Sequence, residues 1–147
     1  MPIGEVGSER IWKVYRRVIK NGLAIHDETP ATALHELRIE CKKLRYLMEF
    51  FRSLYDDGKI DRLIKALKQL QDNLGDFNDY EVQQGSLTGF AEEMQGTAPA
   101  ATLMAMGRLV EHLEAGQDRE RHDFGQHFAK FAEKANQRLA RELFAGP

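Results

Sequence analysis

Four basic side chains between residues 35 and 45 recur at intervals of three, four and three residues. They are His35, Arg38, Lys42 and Arg45. This spacing places side chains on one face of an α-helix, where it normally builds an apolar seam. Arg presents a planar fork of N–H donors and Lys a compact charge, so a row of them suits an extended chain of phosphates. His35 adds a donor whose charge changes near neutral pH, so anion binding is expected to strengthen as the pH falls.

The helix predicted around this row, from about Pro30 to about Tyr55, separates its cations from its apolar residues. At a rotation of about 100° per residue, the basic row and Tyr46 share one arc. Glu40 and Lys43 lie on the far flank, where they can pair at i, i+3. A neighbouring arc holds the apolar residues that are predicted to form the core face: Leu34, Leu37, Cys41, Leu44, Met48, Phe51 and Tyr55.

Groups outside this helix are expected to neutralise the basic row, because like charges at i, i+4 repel one another. Glu49 can offset only Arg45. Two interpretations stay open. In the first, the row is structural: acids such as Asp72, Asp76 and Asp79 form an interhelical ion-pair network with it, or it is simply a solvated charged face. Alternatively, an external polyanion binds in a groove to which the first and third helices add their own cations: Lys13, Arg16, Arg17, Lys20, Arg62, Lys65 and Lys68.

The charge distribution favours a polyanion partner for the first half of the chain only. Residues 8–70 carry 14 Lys and Arg against 9 Asp and Glu, whereas residues 71–147 carry 7 against 13. The formal net charge of −2 conceals this asymmetry. A surface of one sign attracts ligands of the opposite sign even when the whole chain does not.

The periodicity predicts an all-α fold, an antiparallel bundle of about five to six helices in one domain over residues 1–147. A first helix is predicted from a Ser8 cap to about Ile25, a third ends at Gly75, and a fourth runs from an Asp76 cap to about Met94. The last third is predicted either as helices over 100–114 and 118–144, or as one long helix through Gly116.

Several functional classes find no support in the sequence. No apolar run could cross a bilayer, and the N-terminal segment lacks the pattern of a signal peptide, so no membrane association is expected. A single cysteine allows no internal disulfide, so a location in the reducing cytoplasm is expected. Cys41 is the only cysteine, on the core arc, and is expected to be inert. The spacing of His112, His122 and His127 does not suit a metal, so no metal and no cofactor are expected. No motif indicates a specific nucleic acid or an enzyme.

Two linked blocks, "LHELRIECKKLRYLMEFF" and "LKQLQDNLGDFNDYEV", resemble the CHAD domain, the conserved-histidine α-helical domain. The resemblance covers about residues 11–82. It rests on His35, Arg38, Lys42, Lys43, Leu44, Arg45, Tyr46, Lys65, Leu67, Leu70, Gln71, Leu74, Gly75 and Asp79. Members of this family are helical bundles, commonly built from two similar halves, that bind inorganic polyphosphate on basic surfaces and often occur beside CYTH phosphatase domains.

The resemblance implies non-catalytic polyphosphate binding and a CYTH-type protein as a partner. It implies that the basic row contacts the ligand, with Arg17, Lys65 and Lys68 as companions. A full CHAD domain is about twice as long, so this chain matches one half. Either two copies pair as a homodimer, or the groove is reduced. The alternative function is a structural or partner-binding bundle whose basic row forms ion pairs between helices or subunits.

Overall fold

The structure is a computed structural model that describes residues 3–146, for Ile3 the backbone only. It contains five α-helices, α1 (Ile3–Leu23), α2 (Ala31–Phe50), α3 (Asp57–Glu93), α4 (Ala100–Phe131) and α5 (Lys134–Phe144), with a 3₁₀ turn over Arg52–Leu54. The predicted all-α fold is confirmed, since residues 3–146 contain no strand. The single domain predicted over 1–147 stays a prediction, and Met1, Pro2 and Pro147 lie outside the described residues.

The apolar arc predicted on α2 is the centre of the core. Leu34, Leu37, Cys41, Leu44 and Met48 are all at most 1% exposed, and they belong to one buried cluster with apolar side chains of α1, α3, α4 and α5. Burying a side chain of this size stabilises a fold by about 1.5–3 kcal/mol. Phe51 and Tyr55 follow the end of α2 and are only partly buried. The core therefore fixes which flank of α2 the basic residues occupy.

The predicted start of the first helix at Ser8 is wrong. α1 begins at Ile3, which places Ser8 in the interior of the helix. The Ser8 hydroxyl forms a hydrogen bond of 2.7 Å with the hydroxyl of Tyr55. Its polar group is therefore used to join α1 to the segment between α2 and α3 and does not cap a helix.

The predicted break at Gly75 is also wrong, because α3 is one continuous helix of 37 residues that passes through this position. The backbone φ of Gly75 is not positive, so the residue does not adopt the conformation that ends helices. The cap of α3 is Asp56, whose carboxylate accepts from the backbone N–H of Lys59 at 3.0 Å. An interior glycine costs a helix only about 1 kcal/mol, which the packing of α4 along α3 readily offsets.

The helix boundaries in the last third of the chain match neither of the two predictions in full. α4 passes through Gly116, as the long-helix alternative expects, but ends at Phe131, and α5 begins at Lys134. Gly116 is required by packing, because the ring of Tyr80 occupies the space that a Cβ at this position would fill. The glycine that suggested a helix end in the sequence is therefore a point of close contact between α3 and α4.

Two contacts at opposite ends of α2 show that α2 and α3 run antiparallel. His35, in the first turns of α2, meets Glu81 of α3. Arg52, just after α2, binds Asp57 and Asp61 at the start of α3, at 3.1 and 3.2 Å. The loop before α2 is fixed by Arg121, whose guanidinium donates to the backbone carbonyls of residues 26, 27 and 29. None of the helices described combines the length and apolar character needed to cross a membrane.

Candidate anion-binding site

The basic stripe, defined as His35, Arg38, Lys42 and Arg45, follows the flank of α2 that faces α3. At one end, the imidazole Nε2 of His35 contacts the carboxylate of Glu81, and its ring lies 5.9 Å from the ring of Phe77. At the other end, Arg45 Nε lies 3.6 Å from a carboxylate oxygen of Glu49, one turn along the same helix. Each end of the stripe therefore has an acid beside it.

The middle of the stripe keeps its positive charge. Arg38 and Lys42 are both partly buried, and neither has a carboxylate within 4.0 Å among residues 3–146. Partial burial removes some of the water that would stabilise these charges. An anion placed between them would therefore interact more strongly than it would with cations on a fully solvated face.

The side of α3 that lies opposite Lys42 carries no side chain at Gly75. Because the two helices are antiparallel and rise equally per residue, the contact of His35 with Glu81 places Lys42 at about the level of Gly75. Apart from the adjoining residues and backbone of α3 itself, no described atom lies within 4 Å of the point where a side chain at Gly75 would begin. Lys68 is exposed on α3 and makes no ion pair within the described chain. The boundary between α2 and α3, called the groove below, thus has cations along it and no side chain packed over Gly75 near its middle.

Four polar side-chain atoms on α2 and α3 are buried without a hydrogen-bond partner in the described structure. One of them, Oδ1 of Asn73, belongs to a side chain that binds Glu120 of α4, away from α2. The other three are Nδ1 of His35, Nε of Arg45 and Oε1 of Gln71. By the same antiparallel register, Gln71 lies at about the level of Arg45. Buried polar groups are nearly always paired, so these side chains are the ones expected to rearrange when a ligand enters the groove.

Lys65 and Arg17 lie apart from the centre of the groove. Lys65 is largely exposed and its Nζ binds Asp61 at 3.0 Å; this hydrogen bond, with a further one from Arg52, lowers the pKa of the Asp61 carboxyl. Arg17 Nε lies 3.9 Å from Glu40, on the flank of α2 that faces α1. The predicted convergence of all three basic rows on one groove is therefore not found for Arg17.

The predicted pair of Glu40 with Lys43 is replaced by contacts to α1. Glu40 accepts a hydrogen bond from the side-chain amide of Asn21 at 3.1 Å, in addition to its contact with Arg17. The cations of α1 form a separate surface, a groove of about 810 Å³ beside Trp12 and Phe144. Its basic lining residues are Lys13, Arg16, Arg17 and Lys20.

Glu81 and Gly75 are features of the groove whose roles the sequence did not reveal. Both stand in the second quoted block, but the predicted helix break at Gly75 separated Glu81 from the helix that packs on the stripe. A continuous α3 in antiparallel register would have placed Glu81 opposite the start of α2. In the part of the chain that the structure describes, no group of three or more His, Cys, Asp or Glu is arranged to hold a metal ion.

A family model of the CHAD domain matches residues 1–88, more than half of the chain. The chain belongs to the CHAD family. The matched part of this CHAD protein contains α1, α2 and the portion of α3 that forms the groove. Membership is consistent with polyphosphate binding in general. Comparison with curated proteins gave no match.

Proposed function

We propose that this CHAD chain binds inorganic polyphosphate in the groove between α2 and α3 and does not hydrolyse it. The observation that carries the proposal is the pair Arg38 and Lys42, two partly buried cations without a carboxylate partner in the described chain, opposite the open position at Gly75. Lys68 adds a free charge on the α3 side. His35 and Arg45 lie at the two ends and can turn from their acids towards a bound anion.

The shape of the groove favours a thin polyanion over a nucleic acid duplex. Packed helices lie only about 8–10 Å apart, so the space between their exposed flanks suits a single phosphate chain. Such a chain needs charge neutralisation at regular intervals and no recognition of base edges. The acidic second half of the chain would repel a long duplex that extended beyond the groove. Non-specific attraction to DNA is expected only at low salt.

Polyphosphate titration by calorimetry at two salt concentrations, with duplex DNA of equal phosphate content as competitor, tests the proposal. We expect saturable binding that weakens steeply with salt, since the cations displace counterions from the chain. We also expect DNA at equal phosphate to displace little of the ligand. Absence of binding at low salt would contradict the proposal, and so would equal competition by DNA.

A second candidate function is protein binding through the outward face of α2. This face exposes Ile39, Tyr46 and Phe50, an unusual row of apolar side chains beside cations. We propose a second copy of this chain as one partner and, from family membership, a CYTH-type phosphatase protein as another. We further propose that both functions operate in the cytoplasm.

A further inference from the structure

The far halves of α3 and α4 form a hairpin that leaves the core. Between Phe77 and Leu113, a range that is described throughout, no residue is buried. From Phe77 to the end of α3 at Glu93 there are 16 residues, or about 24 Å of helix at 1.5 Å per residue. We call residues 78–112 the outer hairpin. It is a pair of helices without a third layer, which is an unusual arrangement for a stable domain.

The two helices of the outer hairpin contact each other along one seam only. The seam has intervals of three and four residues, and at its base Gln84 donates a hydrogen bond of 2.9 Å to Gln117. Its half-buried members are Tyr80, Gln84, Leu87, Ala91, Met94, Leu103, Met106 and Val110. Other apolar side chains remain exposed outside the seam: Val82, Phe90, Met104 and Leu109.

Three glycines of the outer hairpin have no packing role within the chain. Gly85, Gly89 and Gly107 have no neighbouring atom within 4 Å of a Cβ position. Each weakens its helix by roughly 0.5–1 kcal/mol relative to Ala. Gly116, in contrast, is filled by the ring of Tyr80. Small residues on a helix surface leave room for another chain to approach the backbone closely.

The outer hairpin and its base are strongly acidic. From Asn78 to Asp118 there are seven acids and a single Lys or Arg, Arg108. Of the seven, only Glu81 makes an ion pair with a described residue. The acids are Asp79, Glu81, Glu92, Glu93, Glu111, Glu114 and Asp118.

The outward face of α2 has the complementary properties. Phe50 is 76% exposed, and Ile39 and Tyr46 are more than half exposed on the same face. They line a shallow groove of about 600 Å³ whose other lining residues include three cations and no carboxylate. These cations are Arg38, Lys42 and Lys43. We call this surface the outer α2 face. An apolar centre with charges at its rim is typical of protein interfaces.

We propose that the outer hairpin of a second copy of this chain docks on the outer α2 face. The two surfaces carry opposite charges, and the charges on both remain largely unpaired in the single chain. Within one chain they cannot meet, because the outer hairpin extends past His35, at the start of α2, away from Phe50. Reciprocal docking of two copies closes into a two-fold dimer. A dimer formed by two outer hairpins would instead bring two acidic surfaces together, and their like charges would repel.

The proposed dimer competes with polyphosphate, because Arg38 and Lys42 border both the outer α2 face and the groove. This competition rests on the proposed function, whereas the docking does not. Lys43 and Phe50 belong only to the outer α2 face. Variants at these two positions therefore separate a failure of the dimer from a failure of polyphosphate binding.

Sedimentation velocity without polyphosphate, over a range of protein concentrations, tests the docking. We expect a monomer–dimer equilibrium for the wild type and dimerisation weakened about tenfold or more by Phe50→Ser or by Lys43→Glu. Leu23→Ser is the matched control, since Leu23 is 72% exposed and lies outside both surfaces. A variant with Glu111→Lys and Glu114→Lys should also lose its dimer, and mixing it with Lys43→Glu should restore association.

Two outcomes would overturn the docking proposal. One is a wild type that stays monomeric at high micromolar concentration in low salt. The other is a wild type that dimerises, with Phe50→Ser and Lys43→Glu variants that dimerise as tightly as the Leu23→Ser control. Phe50 and Lys43 are exposed, so these variants are expected to fold, and circular dichroism verifies that they do. If both variants still bind polyphosphate while their dimer is lost, the two proposals stand independently.

Discussion

The imidazole of His35 and the carboxylate of Glu81 are in direct contact across the groove between α2 and α3, although 46 residues separate them in the chain. The contact joins the first turns of α2 to α3 beyond Gly75, so it also fixes the antiparallel register of the two helices. It places a negative charge at the end of a stripe that is otherwise suited to phosphates. A polyanion bound at the proposed site would therefore compete with Glu81 for the same histidine.

Replacing Glu81 by Gln is expected to strengthen polyphosphate binding. The substitution removes a carboxylate from the end of the groove and frees His35 to face the ligand. One repulsive charge at this range corresponds to roughly a two- to fivefold gain in affinity at low salt, a gain that added salt reduces. Titration calorimetry measures it, with Glu5→Gln on α1 as the control for net charge. Unchanged or weaker binding by Glu81→Gln would place the ligand elsewhere.

Alanine at Gly75 and at Gly116 is expected to change stability in opposite directions. Gly75→Ala should raise the free energy of unfolding by about 0.5–1 kcal/mol, because the position is helical and open. Gly116→Ala should lower it by about 1–3 kcal/mol, since the new methyl group collides with the ring of Tyr80. Urea denaturation measures both. Destabilisation by Gly75→Ala would indicate that α3 breaks where the sequence suggested.

Alkaline pH is expected to destabilise the fold through Cys41. Burial, with a smaller effect from Glu40, raises the pKa of its thiol from 9.0 to about 12. Between these values the unfolded chain ionises its thiol and the folded chain does not. The stabilisation is thus complete below pH 9 and declines as the pH rises towards 12. Urea midpoints across this range should fall less steeply for Cys41→Ala. A thiol reagent that labels native Cys41 rapidly at pH 8 would contradict its burial.

The amphipathic pattern of α2 was sufficient to predict its buried face, because the apolar residues on one arc of the helix are the ones that the core buries. These residues are Leu34, Leu37, Cys41, Leu44 and Met48. The pattern did not predict how far α3 extends. The tendency of Gly75 to end a helix is local and small, whereas the packing that overrides it comes from α4, which is distant in sequence. The sequence predicted helices over 76–94 and 100–114 but, for the same reason, did not predict that they extend beyond the core as the outer hairpin.

Only the α2 side of the candidate site could be predicted from the sequence. The basic stripe follows from the rotation of a single helix, so residues such as Arg38 and Lys42 could be selected from their spacing. The position of Arg17 depends on which flank of α2 faces α1, and a single-helix pattern does not contain that information. The pairing of His35 with Glu81 requires the register between two helices, which only the folded structure supplies.

The most direct test of the central claim is polyphosphate affinity, measured at several salt concentrations, for the double variant Arg38→Gln and Lys42→Gln. The matched control is Lys134→Gln with Arg138→Gln, two exposed cations of α5 without an ion pair in the described chain. Both variants lose two positive charges, so only the location of the charges differs. We predict that the stripe variant binds about tenfold or more weakly at low salt, with a shallower salt dependence, while the control resembles wild type. Equal losses in the two variants would contradict a polyphosphate site between α2 and α3.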